Sequence, residues 1–140
     1  MKKLISGVVV FIFIMCVVAF GSDMETASRN ADEKLKANGF LLSEEIEEIW
    51  QNEKTPDIWK KIPMDQQKKI LAEYKEAQEV SAENSLTFGT SIKDDLERSL
   101  YQEGVHKNKM LKATRNIAEK YGIKAGDVFP IEWSVMGLLD

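Results

Sequence analysis

An apolar run lies near the start of the chain, from Leu4 to Phe20. Two lysines precede the run, and no charged residue follows it before Asp23. A positive start, an apolar core and small residues at the exit are typical of a secretory signal peptide. We therefore predict a signal peptide over residues 1–21, with cleavage after Gly21.

A retained membrane anchor is the alternative, because the run of 17 residues lies at the lower limit for a membrane-spanning helix. The preceding lysines would then hold the N-terminus in the cytoplasm. Both interpretations place residues 22–140 outside the cytoplasm. We expect a periplasmic or extracellular protein after cleavage, or a membrane-anchored one with its domain outside. The apolar residues after Cys16 disfavour lipid modification of that cysteine.

The exported part must hold together without disulfides, since Cys16 is the only cysteine and lies in the predicted signal. Its 119 residues carry 17 basic and 23 acidic side chains, a net charge of −6. This length suffices for one domain with a packed core. Stability must therefore come from buried apolar faces.

Apolar residues recur at helical spacing through the exported part, and no stretch alternates with the period of a strand. We predict an all-α protein, a small single-domain bundle of about five helices behind the N-terminal signal or anchor helix. The helical domain is expected over 40–140. Residues 22–39 form a weak lead helix or spacer, because their apolar stripe is thin.

Capping residues predict several helix ends. Gly39 is expected to end the lead helix, with Phe40 folding back onto Leu35, and Ser43 to begin the next helix.

Further boundaries follow from prolines and glycines. Pro63 starts the predicted longest helix, to about residue 84, and Gly104 closes the one after it. A separate basic helix is expected over about 107–121. The last helix begins with Asp127 as its cap, which places Pro130 in the first turn, where amides lack partners.

Charge is concentrated between residues 105 and 124, where six basic residues accompany one acidic residue. On an amphipathic helix these cations could face an anionic membrane surface. The simpler interpretation is that they pair with acidic residues of the same domain. The candidate binding residues in this segment are Lys107, Lys109, Lys112, Arg115 and Lys120.

The final stretch, from Val128 to Leu139, is the most apolar part of the exported chain. Trp133 within it is a further candidate binding residue, although core packing is the commoner role of such a tryptophan. A binding module predicts an exposed apolar patch from Trp133 to Leu139 that a dimer or complex would cover.

Catalytic motifs are sparse. His106 is the only histidine and has no cysteine or carboxylate at metal-binding spacing nearby. Glu45 and Glu48 lie in an acidic cluster that could supply the acid/base of a cell-wall-polymer hydrolase. The start of the predicted helix at Ser43 also explains acidic residues there, through the helix dipole. No cofactor, no metal and no nucleic-acid partner is expected.

These observations predict an exported small helical protein that is a non-catalytic binding module of the cell envelope. Its expected partner is a protein or a second copy of the chain. The first alternative is a membrane-anchored or membrane-surface protein that uses the basic amphipathic helix. The second is the cell-wall-polymer hydrolase.

Overall fold

The structure is a computed structural model that describes residues 22–139. The described chain is a helical bundle with five α-helices and no strand, which confirms the predicted all-α fold. The predicted signal peptide or anchor over 1–21 lies outside the described residues. No helix among those described combines the length and apolarity needed to cross a membrane. The elements are α1 Ser22–Ala37, α2 Ser43–Asn52, a 3₁₀ turn Ile58–Lys60, α3 Met64–Ser85, α4 Asp95–Tyr121, a 3₁₀ turn Ala125–Asp127 and α5 Val128–Val135.

The described residues divide into two compact units. Unit 1 consists of residues 22–43 and 79–109, and unit 2 of residues 44–78 and 110–139. The division into a lead segment over 22–39 and a domain over 40–140 stays a prediction. Each unit has its own apolar cluster.

In unit 1, α1 contributes its apolar stripe to the core. Ala31 and Leu35 are almost fully buried and pack with residues of α4. Gly39 adopts a left-handed φ of 81°, and the Phe40 amide donates to the Leu35 carbonyl at 2.9 Å. This is the expected glycine-capped end, and Phe40 packs on the same cluster as Leu35.

Gly104 does not end a helix, so the prediction of two separate helices around it is wrong. One continuous helix, α4, runs through this position for 27 residues, and it is longer than α3 with 22. A Cβ atom at position 104 would lie 2.5 Å from Leu35 Cδ1. Glycine here serves close packing of α1 on α4 inside unit 1, which local sequence signals do not distinguish from a helix stop.

The loop after α1 is tied to α4 by one side chain. The Asn108 amide accepts from the Leu41 N–H at 2.8 Å and donates to the Leu41 carbonyl at 2.9 Å and the Gly104 carbonyl at 2.8 Å. A side-chain amide thereby satisfies both backbone polar groups of one loop residue.

Unit 2 is built on a cluster of buried residues from α3, α4 and α5 together with the first 3₁₀ turn: Ile58, Ile70, Leu71, Tyr74, Met110, Ile117, Val128 and Ile131. The last helix begins after Asp127, and Pro130 lies in its first turn, as predicted. The Asp127 side chain makes no hydrogen bond to the amides of α5, so the predicted capping by its carboxylate is wrong.

The turn Ala125–Asp127 is joined to the end of α2. The Gly126 amide donates to the Glu53 carbonyl at 2.7 Å. The Asp127 carboxylate is fully buried and accepts from the Thr55 amide at 2.6 Å and the Lys124 amide at 2.8 Å. These bonds fix the point from which α5 departs.

Candidate functional site

The predicted basic face lies along α4, and its first two cations have partners within unit 1. The Lys107 ammonium lies 3.9 Å from the Glu103 carboxylate and donates to the Ser43 hydroxyl at 3.3 Å. The Lys109 ammonium lies 4.8 Å from the centroid of the Phe88 ring, within the range of a cation–π contact.

The other three cations belong to unit 2, and two of them form ion pairs. An Arg115 guanidinium nitrogen lies 3.3 Å from the Glu53 carboxylate, and the Lys120 ammonium donates to the Glu73 carboxylate at 2.8 Å. Lys112 is exposed and makes no ion pair among residues 22–139. Most of the predicted basic face is therefore engaged by the chain itself.

The Glu73 carboxylate accepts two hydrogen bonds. Hydrogen bonds from the Lys120 ammonium and from the Tyr121 hydroxyl lower the pKa of the Glu73 carboxyl. The same hydrogen bond with Glu73 raises the pKa of Lys120. Both groups therefore stay charged at neutral pH, and Lys120 keeps a partner that competes with any external anion.

The end of α5 presents large apolar side chains to solvent. Trp133 is 49 % exposed, Met136 59 % and Leu138 66 %. We call these three residues the apolar tip. Because the three side chains come within six residues of one another in the sequence, the apolar tip is a candidate contact surface.

A defined helix end holds the apolar tip together. Gly137 has a left-handed φ of 76°, and its amide donates to the Ser134 carbonyl at 3.0 Å. The Leu138 amide donates to the Trp133 carbonyl at 2.8 Å. This bonding pattern places the residue after the glycine beside the last turn of the helix, so Leu138 and Trp133 lie on the same side.

The opposite side of α5 is firmly embedded in unit 2. Val128 and Ile131 are fully buried. The Phe129 ring meets the Trp50 ring edge-on at 5.3 Å between centroids and the Tyr74 ring at 6.3 Å. Since one side is anchored by aromatic and aliphatic packing, the apolar tip is presented by a rigid element.

The apolar tip carries no charged side chain. Residues 133–139 include no charged side chain. Glu132 is half-buried, and its carboxylate adds to the effect of burial that raises the pKa of Tyr74 to about 12. Exposed Lys60 and Lys61 lie at the end of the 3₁₀ turn that α5 contacts. The tip itself is thus uncharged, and acidic residues flank it in the sequence, Glu132 before it and Asp140 after it.

One nucleophile–base pair was not predicted. The Ser81 hydroxyl lies 2.9 Å from His106 Nδ1 and 3.3 Å from the His106 carbonyl oxygen, within unit 1. Burial, with a smaller contribution from the nearby Lys107 charge, lowers the pKa of His106. Ser81 is only 6 % exposed, and no carboxylate among the described residues hydrogen-bonds to His106. The pair lacks the access and the orienting group that nucleophilic catalysis requires, and it acts as a polar contact between α3 and α4.

The acidic cluster at the start of α2 lies in solvent. Glu44, Glu45, Glu47 and Glu48 are all exposed, which weighs against the shielded carboxylate that the hydrolase alternative needs. Within residues 22–139, no three histidine, cysteine, aspartate or glutamate side chains are grouped so that they could hold a metal ion.

No family model, curated protein or solved structure matches this chain. The functional interpretation therefore depends on the chemistry of its own surfaces. Among the candidate residues, Trp133 lies in an exposed apolar group, whereas Lys107, Lys109, Arg115 and Lys120 contact other residues of the chain.

Proposed function

We propose that this chain is an exported, non-catalytic binding module of the cell envelope, and that it binds through the apolar tip. The observation that carries the proposal is the exposure of Trp133, Met136 and Leu138 at the end of a helix that buries Val128 and Ile131 completely. Export is inferred from the positive start and the apolar run over 4–20.

Binding is favoured over catalysis because the described residues assemble no accessible catalytic group. The single histidine contacts a buried serine, and the glutamates of the acidic cluster are exposed. An apolar contact surface needs no such group, since its affinity comes from the area removed from water.

Site-specific photo-crosslinking in the native cells tests the proposal. A photoreactive amino acid in place of Leu138 is expected to give an adduct of defined mass with one envelope component. The same amino acid in place of Lys112, an exposed polar residue of the same unit, is the matched control and is expected to give none. Absence of an adduct at 138, or equal adducts at both positions, would contradict binding through the tip.

Fractionation with intact-mass measurement tests export separately. We expect either a chain that begins at Ser22 in the exported fraction or a full-length chain in the membrane fraction. A full-length chain recovered from the soluble cytoplasm would contradict the assignment to the envelope.

A further inference from the structure

We infer that Met136 is an oxidation site whose state controls the contact made by the apolar tip. The reaction is the conversion of the Met136 thioether to methionine sulfoxide by hydrogen peroxide. This inference rests on the proposed function, because it names how binding through the same tip is regulated. Three observations support it: Met136 is exposed, it lies outside the core, and it belongs to the tip.

Methionine is the only sulfur-containing residue type between residues 22 and 139, because the single cysteine is Cys16. Four methionines lie in this part of the chain. Met136 is 59 % exposed and Met64 45 %, whereas Met110 is 5 % exposed and Met24 is half-buried. Oxidation follows the access of the oxidant to the sulfur. We therefore expect Met136 to react first and Met64 second.

Met136 lies outside the core of unit 2, so its oxidation leaves the packing of that unit in place. The buried cluster contains Met110, and Val135 packs against it, but Met136 belongs to neither group. The Met136 amide donates to the Glu132 carbonyl at 3.0 Å, and this backbone bond does not depend on the state of the side chain. Oxidation at this position therefore changes the surface of α5 and not its attachment.

The oxidised side chain places a polar group within the apolar tip. Met136 follows Trp133 by three positions, a spacing that puts two residues on the same side of a helix. The Leu138 amide donates to the Trp133 carbonyl at 2.8 Å, which holds the third member of the tip beside them. An apolar partner leaves the sulfoxide oxygen without a hydrogen bond, which costs free energy. Since the affinity of an apolar surface comes from the area removed from water, the oxidised tip binds more weakly.

The reaction needs one molecule of hydrogen peroxide and no catalytic group of the protein. A lone pair of the Met136 sulfur attacks one peroxide oxygen, so that an S–O bond forms as the O–O bond breaks. Sulfur loses two electrons to the peroxide. The other peroxide oxygen leaves as hydroxide and takes up the proton of the transferred oxygen to give water. The proposed envelope location is an oxidising compartment, and methionine sulfoxide reductases reverse the change.

Peptide mass spectrometry after brief peroxide treatment of the chain purified from its native cells tests the site. We expect the mass of one oxygen to appear at Met136 before Met64, and only much later at buried Met110. Circular dichroism is expected to stay unchanged when Met136 alone is oxidised, because it is not a core residue. Oxidation of Met110 as fast as Met136 would contradict the assignment.

The photo-crosslink at position 138 tests the regulation in native cells. Peroxide is expected to lower the adduct yield of the wild type by about tenfold, because one apolar side chain becomes polar. Met136→Leu keeps an apolar side chain that peroxide does not oxidise, so its adduct is expected to persist. Met136→Gln, with a polar side chain of similar length, is expected to lower the yield without peroxide. The matched control is Met64→Leu, which removes the other exposed methionine of unit 2 and is expected to respond as the wild type does.

An adduct that survives in the wild type while Met136 is oxidised would overturn the inference and leave the proposed function intact. Equal loss of the adduct in the wild type and in Met136→Leu would do the same, because the peroxide would then act elsewhere. Recovery of the wild-type adduct on treatment with a methionine sulfoxide reductase would support the inference. If no adduct forms at 138 even without peroxide, binding through the tip fails, and its regulation fails with it.

Discussion

Replacement of Gly126 by alanine is expected to destabilise unit 2 more than its backbone conformation alone would suggest. A Cβ atom at this position would lie 2.3 Å from the Trp50 carbonyl oxygen and 2.4 Å from the Glu53 carbonyl oxygen. Both atoms belong to the backbone at the end of α2, so no side-chain rotation can relieve the clash. The turn must move away from α2, which lengthens the 2.7 Å bond between the Gly126 amide and the Glu53 carbonyl.

The size of the effect follows from two contributions. Insertion of a methyl group into a well-packed site costs about 1–3 kcal/mol. Weakening one buried backbone hydrogen bond adds about 1 kcal/mol. The expected loss is therefore about 2–4 kcal/mol. The bond between the Asp127 carboxylate and the Thr55 amide lies next to the displaced residue and is expected to weaken with it.

Urea unfolding followed by circular dichroism measures this loss as a lower midpoint at an unchanged slope. The control is Gly122→Ala, whose φ of 69° strains an alanine but which has no heavy atom within 4 Å of the added Cβ. That substitution is expected to cost about 1–2 kcal/mol. A Gly126→Ala protein that loses less stability than Gly122→Ala, or that lies within about 0.5 kcal/mol of the wild type, would contradict the predicted clash with the backbone of α2.

Three further predictions concern unit 1. Gly104→Ala is expected to stabilise the helix by about 1 kcal/mol through helix propensity, but to cost about 1–3 kcal/mol because the added methyl overpacks against buried Leu35. Urea unfolding is therefore expected to show a net loss of stability. A net gain would contradict the close packing of α1 on α4. Because its folded pKa is lowered, His106 binds fewer protons in the folded state than in the unfolded state. Stability is therefore expected to fall as the pH drops below 6.5, and His106→Gln, measured by the same unfolding at each pH, should remove that part of the slope. Asn108→Ala removes three hydrogen bonds, two of them to Leu41. It is expected to cost about 2 kcal/mol of stability and to speed amide hydrogen exchange at Leu41. Unchanged exchange would show that Asn108 does not hold this loop against α4.

The basic residues of α4 show that a charge pattern alone does not identify the partner of the charges. A run of cations on one helix suggests an external anion as readily as an internal partner. The positions of Glu53 and Glu73 decide between them for Arg115 and Lys120, and both carboxylates come from segments about 50–60 residues earlier in the chain. Residue spacing along α4 holds no information about these distant partners.

Helix ends that depend on neighbouring residues were predictable. Gly39 with Phe40 closes α1, Ser43 begins α2, and Asp127 precedes the helix that has Pro130 in its first turn. The bonds that close α1 join residues within a few positions of each other, and the place of a proline in a helix is fixed by its own missing amide hydrogen, so a short sequence window holds the relevant information.

The contact between Ser81 and His106 could not be predicted, because it joins residues that are far apart in the sequence. The two residues lie 25 positions apart, on different helices, and no spacing rule joins a helical serine to a histidine at that distance. Similarly, the stretch from Val128 to Leu139 was recognisably apolar. Its division into buried Val128 and Ile131 and exposed Met136 and Leu138 depends on which side α5 turns towards the core.

The all-α class, most of the helix ends and the apolar C-terminal segment could be predicted from the sequence, because periodicity and turn chemistry are local properties of the chain. The helical conformation at Gly104 and the exposure of Trp133 depend instead on contacts made in the folded chain. The neighbouring residues of a glycine do not reveal whether the helix ends there or continues with a side chain of another helix packed against it. Leu35, almost 70 residues earlier, supplies the difference by packing against the missing Cβ.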